Sequence, residues 1–145
     1  MNKLNHNFKM LAFIASISLL QPLVHADSAL EKELGEFEYI NNCAVCHGSD
    51  GKGDGPMAGQ LIKSPSNLTL LSKNNGGSFP ETAIYQLIDG RRVVVTDEGR
   101  TVETFHGPRD MPIWGDTFRT IEGDEGAVDE LISNLLKYLE TIQVK

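Results

Sequence analysis

Two cysteines are all that this chain has. They stand three positions apart with a histidine directly behind them, Cys43-Ala44-Val45-Cys46-His47. Such a pair rules out a disulfide-rich scaffold and a four-cysteine zinc site, so the fold must be held by a conventional core or by whatever the motif binds. The 145 residues are 40% hydrophobic, which suits one domain, is cramped for two, and is too apolar for a disordered chain. Lys and Arg total 13 against 20 Asp and Glu, a formal charge of −7 with a pI near 5.0. That balance argues against a surface that grips phosphate backbones, so nucleic acid is not an expected partner.

Residues 1–26 read as an export leader. Lys3 and Lys9 precede the apolar run Met10 to Leu20, and Val24 and Ala26 occupy the −3 and −1 positions of a signal-peptidase site. The run is short of the roughly 20 residues that a spanning helix needs. Cleavage after Ala26 leaves a domain of 119 residues, 27–145 (145 less 26). Loss of two lysines and no acids deepens the charge from −7 to −9. The expected location is the periplasm, as a protein that is not an integral membrane protein once processed. His47 and His106 are then the remaining histidines, and Met57 and Met111 the remaining methionines.

Along the processed chain, Ser28 to Asn42 reads as a helix. Leu30, Leu34, Phe37 and Ile40 form its apolar stripe, Asp27 or Ser28 its N-cap, and Glu31 and Glu33 suit its positive end. A polar glycine-rich loop, Gly48 to Pro56, follows the cysteine motif. Residues 57–79 read as irregular, with a short turn near Leu68 to Leu71. Pro80 opens a helix running to Asp89, with Ala83, Ile84, Leu87 and Ile88 on its apolar side, and Gly90 ends it. Arg91 to Phe105 carries a β-branched run and reads as a short hairpin. Gly107-Pro108 and Met111-Pro112 impose an extended loop. Val128, Leu131, Ile132, Leu135, Leu136, Leu139 and Ile142 define an amphipathic C-terminal helix.

The spacing Cys43-x-x-Cys46-His47 is the attachment motif for c-type haem. Thiols at i and i+3 lie on one side of a helical turn and can add across the two vinyl groups of one haem, while His47 faces the iron as proximal ligand. A thioredoxin-like dithiol would sit at a strand-to-helix junction, but here a helix precedes the motif. Zinc would have only Cys43, Cys46, His47 and His106 to draw on, and a plain disulfide leaves His47 without a role.

The chain resembles the class I, or monohaem, c-type cytochromes. The resemblance rests on Gly35 and Tyr39 before the motif, on Asn42 to Gly48, on Gly51-Lys52-Gly53-Asp54-Gly55-Pro56 and on Met111-Pro112-Ile113-Trp114-Gly115. It implies a mostly α fold in which N- and C-terminal helices cross around one covalently attached haem c. It also implies an electron-transfer protein rather than an enzyme, and haem attachment outside the cytoplasm. The segment 91–109 is longer than in compact members and leaves open the surface beside the distal ligand.

Met111 is the preferred sixth ligand. It lies 64 residues beyond His47 in a proline-stiffened loop, suited to holding a soft thioether at one distance. His106 is the alternative ligand. Met57, ten residues after His47, would leave no distal wall and reads as packing. Trp114 and Phe105 read as pocket walls, and Leu61, Ile62, Leu68, Leu70 and Leu71 as residues wrapping the cofactor. Arg91, Arg92 and Arg109 are candidates either for haem propionates or for a solvated surface. Filled axial positions suit a one-electron carrier that meets redox partners with a basic docking surface. A dedicated haem subunit of a periplasmic dehydrogenase is the alternative, and an open-iron enzyme or gas sensor requires that Met111 not ligate.

Overall fold

The computed structural model describes the backbone of residues 21–95, 101–105 and 111–144, and the side chains of 28–91 and 111–144. Among these residues the fold is helical around one hairpin. Helix α1 (Gln21–Glu38) continues through a π-helical turn (Tyr39–Cys43) into the single turn α2 (Ala44–His47). Two 3₁₀ turns (Ala58–Gln60 and Leu68–Leu70) and the short α3 (Leu71–Asn74) lead to α4 (Glu81–Asp89). The antiparallel strands β1 (Arg91–Val95) and β2 (Thr101–Phe105) pair Arg91 with Phe105 and Val95 with Thr101. Helices α5 (Trp114–Glu122) and α6 (Glu125–Thr141) complete the chain.

The expected crossing of first and last helices is present, but not along the expected stripe. Leu30, Leu34, Phe37 and Ile40 are 43–64% exposed. The face that meets α6 carries Gly35 and Tyr39 instead. A Cβ at Gly35 would lie 1.9 Å from the backbone oxygen of Asn134, so the two backbones meet where only glycine fits. One turn on, Tyr39 is fully buried and its ring lies 5.1 Å from that of Tyr138. Helix α6 buries Val128, Ile132, Leu135, Leu136 and Leu139, as its periodicity predicts, with Leu131 and Ile142 half-buried.

The boundaries correct several expectations. Because α1 is already helical before Asp27, neither Asp27 nor Ser28 caps its start. Glu31 serves as the partner of Lys137 on α6. Helix α4 ends as predicted on Gly90 in the left-handed region, whose N–H donates to the Gln86 oxygen, although Ala83 is exposed rather than packed. Helix α5 was not expected. Its signal is Trp114 and Phe118 one turn apart, with their rings stacked at 5.7 Å, and Gly123 as a left-handed stop. The leader residues 1–20, the hairpin turn at 97–99, Gly107-Pro108, His106 and Arg109 lie outside the described residues.

A buried ion cluster ties α4, β1 and α5 together. The Asp89 carboxylate, 3% exposed, accepts from Arg91 Nε at 2.6 Å and from Arg119 Nη1 at 2.7 Å. Arg91 also reaches Glu125 at 3.2 Å. Burial pushes the Asp89 pKa up, but hydrogen bonds from both arginines outweigh it and hold the carboxyl below its usual range.

Two consequences are measurable. Gly35→Ala should destabilise the protein by about 2–3 kcal/mol, seen as a lower urea midpoint with unchanged slope. Asp89 is depressed in the folded state, so its contribution is complete above the ordinary value of 3.8 and is lost as pH falls through its lower folded value. The acid limb of stability against pH should therefore be shallower in Asp89→Asn than in the parent protein.

Candidate functional site

The cysteine motif is held by the residues on either side of it. A single π turn within a helix is rare and often marks a functional position; here it delivers Cys43 to the start of α2. The Tyr39 hydroxyl donates to the Gly48 oxygen at 2.6 Å, fixing the end of α2 to the helix crossing. The glycine-rich loop then folds back over the carbonyls that α2 leaves free. Met57 N donates to Val45 O at 2.9 Å, Gly55 N to Cys46 O at 3.1 Å and Gly53 N to His47 O at 2.7 Å. A Cβ at Gly55 would sit 2.6 Å from two of the turn's backbone oxygens, so this approach needs glycine. The loop is thus a cap for the motif, consistent with its lack of a phosphate-cradle ending.

His47 Nδ1 lies 3.0 Å from the Ser66 oxygen. A carbonyl can only accept, so Nδ1 carries the proton and Nε2 keeps its lone pair for a ligand role. Burial lowers the pKa of His47, with the Ser66 bond opposing it, which favours the neutral ring. Cys43 and Cys46 are half-buried free thiols. Burial, then the charges of Glu38 and Cys46, push the Cys43 thiol up to about 12. That is the reverse of the activated thiolate a dithiol oxidoreductase needs.

Both thiols and His47 face a cavity of about 390 Å³, a size within the range of cofactor sites. Leu135 and Leu139 of α6 and Ile84, Leu87 and Ile88 of α4 form its apolar walls. Met111, Pro112 and Trp114 line it from the segment leading into α5. The donor set fits haem c: two thiols, a neutral imidazole and a thioether around an apolar slot. Among the described residues, no group of three or more His, Cys, Asp and Glu is arranged to hold a metal ion directly.

The family model Cytochrome c matches residues 33–143. The chain belongs to the cytochrome c family. No curated protein and no solved structure matches it. Cytochromes of this family carry haem c, transfer electrons rather than catalyse, work with redox partners and are typically extracytoplasmic. No helix among the described residues is long and apolar enough to cross a membrane.

Most of the predicted wall residues of this cytochrome line the cavity, and some do not. Leu61, Leu68, Leu71 and Trp114 line it, whereas Ile62 is 98% exposed and wraps nothing. Leu70 is half-buried but outside the lining, and Met57 is exposed and away from it. Arg91 is committed to Asp89 and Glu125. Its expected alternatives were a propionate or a solvated surface; the geometry is a half-buried ion pair. The side chains of Arg92 and Phe105 lie outside the described residues.

Sequence reading missed the Ser66 carbonyl and the strap formed by the C-terminus. Gln143 Nε2 donates to Leu68 O at 2.8 Å and its Oε1 accepts from Ser72 N at 2.9 Å. Val144 N donates to Thr69 O at 2.9 Å. Backbone partners of this kind leave no trace in residue identity.

Tyr39→Phe isolates the Tyr39–Gly48 bond. It removes one of two donors from the buried Gly48 carbonyl, which keeps Gly51 N at 3.1 Å, and should destabilise the protein by about 1 kcal/mol in urea unfolding, without loss of the helical circular dichroism signal.

Proposed function

We propose that this protein is a one-electron carrier with a single haem c, attached through Cys43 and Cys46 and ligated axially by His47 and Met111. The observation that carries the reading is that all four side chains line one apolar cavity. Haem c bound there supplies a one-electron iron couple. The protein's own residues do the rest. The Ser66 carbonyl holds the His47 ring in the tautomer with Nε2 free. Leucine and isoleucine walls exclude water, which favours the less charged state of the iron. With His47 and Met111 both held to the iron, no position would remain for oxygen or peroxide.

The leader at 1–26 directs the chain to the periplasm, and residues 27–145 form the working domain. At −9, that domain is steered toward basic patches on its redox partners, so exchange rates fall as salt rises. The paired strands β1 and β2, ahead of Met111 in the sequence, favour a second reading as the haem subunit of a periplasmic dehydrogenase. Co-purification of a stable partner distinguishes that subunit from a free carrier.

Met111 provides the decisive test. The oxidised holoprotein should show the weak far-red thioether–iron band, and the reduced protein should not bind carbon monoxide at neutral pH. Met111→Ala should lose the band and gain carbon monoxide binding. A spectrum unchanged by the substitution would refute the assignment. Replacing Cys43 and Cys46 with alanine should release the haem on a denaturing gel.

A further inference from the structure

The thioether bond to haem iron is weak, so a sixth-ligand methionine stays in place only if its loop is held independently. Resting on the His47/Met111 reading above, the question is which residues hold Met111. Met111 itself packs against the hydrophobic core. Polar contacts that fix its segment lie just beyond it, at residues 115–119.

Ile113 packs on Gly90, where a Cβ would lie 2.3 Å from Ile113 Cγ2. A Cβ at Gly115 would lie 2.3 Å from the Asp89 carbonyl oxygen and 2.5 Å from Asp89 Oδ1. The chain that leaves Met111 therefore rests on the C-terminal end of α4, with Asp89 beneath it. From the other side, Arg119 binds Asp89 Oδ1 through Nη1 at 2.7 Å. Its Nη2 reaches the Asp89 backbone oxygen at 3.4 Å and Asp116 Oδ1 at 3.0 Å. Arg91 closes the cluster through Nε on Oδ2 at 2.6 Å and Nη2 on Oδ1 at 3.1 Å. The first two turns of α5 are thus clamped to α4 through one buried carboxylate, which Gly115 abuts four residues beyond Met111 and Arg119 binds eight residues beyond it.

We propose that Asp89 is the positioning residue for the sixth ligand: with Arg119 it clamps residues 113–119 to the end of α4 and so keeps Met111 at the haem cavity. Asp89 is absent from the cavity lining, so its effect on Met111 passes through this segment. A buried carboxylate is tolerated only while it is paired, and removing one partner leaves the other uncompensated. Loosening the clamp raises the fraction of molecules in which Met111 has left, and an added ligand binds more tightly in proportion to that fraction.

The experiment is imidazole titration of the oxidised holoprotein, followed by the shift of the main haem band. Four proteins are compared: the parent, Asp89→Asn, Met111→Ala and the double variant, with urea unfolding run alongside. Asp89→Asn should bind imidazole about tenfold more tightly than the parent. Met111→Ala should bind it more tightly still, and adding Asp89→Asn to Met111→Ala should change nothing further. Arg119→Lys keeps the charge but loses the fork; it should move imidazole affinity in the same direction and serves in the same cycle if Asp89→Asn does not fold.

Unchanged imidazole affinity in Asp89→Asn, with only a lower urea midpoint, would overturn the proposal and leave Asp89 a structural residue. Equal tightening with and without Met111 would overturn it too, because the effect would not pass through the methionine. If Met111→Ala binds imidazole no more tightly than the parent, the ligand reading itself fails, an outcome distinct from either.

Discussion

The close approach of α1 and α6 at Gly35 and Asn134 is the constraint on which the rest of the structure depends. It is a backbone-to-backbone contact, with no room for even a methyl group. Because the helices touch there, Tyr39 one turn later lies against Tyr138 with no exposure. Its hydroxyl then reaches Gly48 and fixes the end of the cysteine turn. A side chain at residue 35 would move the helices apart, and that displacement would pass through Tyr39 to Cys43, Cys46 and His47. Helix crossing and site geometry are one problem in this fold, solved by one glycine and one tyrosine.

The crossing also explains where sequence reading succeeded and where it failed. Helix α6 was legible because its buried side chains are large and regularly spaced, so burial and periodicity coincide. Helix α1 was legible as a helix but not in its orientation. Periodicity ranks the bulky residues, Leu30, Leu34, Phe37 and Ile40, and these are exposed. The true contact face is marked by the smallest residue, which carries no hydrophobic signal at all. The resemblance to monohaem cytochromes pointed to Gly35 and Tyr39 where the hydrophobic pattern did not.

In the candidate site, the motif residues were legible because their identity and spacing form a recognisable pattern, the one that attaches haem c in the cytochrome c family. What holds them was not. The Ser66 partner of His47, the loop amides over Val45, Cys46 and His47, and the strap from Gln143 and Val144 are all contacts to backbone. Any residue supplies a carbonyl, so no letter in the sequence marks them. Arg91 illustrates the opposite difficulty. Its type was informative, since an arginine fork suits carboxylates, but the sequence offers many carboxylates and the one it meets is Asp89 rather than a cofactor's.

The two sides of the cavity are therefore built on different physical terms. On the His47 side, the ring is fixed by a hydrogen bond to a neutral carbonyl and by a loop that spends its amides on the helix end. The loop amides come from residues six to twelve positions beyond the carbonyls they meet, and the Ser66 carbonyl from 19 residues beyond His47. On the Met111 side, the segment rests on a charge cluster assembled from α4, β1 and α5. Its buried member is Asp89, which desolvation penalises if an arginine is missing. On the contacts alone, the His47 side of the cavity rests on neutral hydrogen bonds and the Met111 side on a charged cluster. The asymmetry follows from the contacts themselves: losing a neutral hydrogen bond costs little, whereas a buried carboxylate that loses an arginine is left with an uncompensated charge.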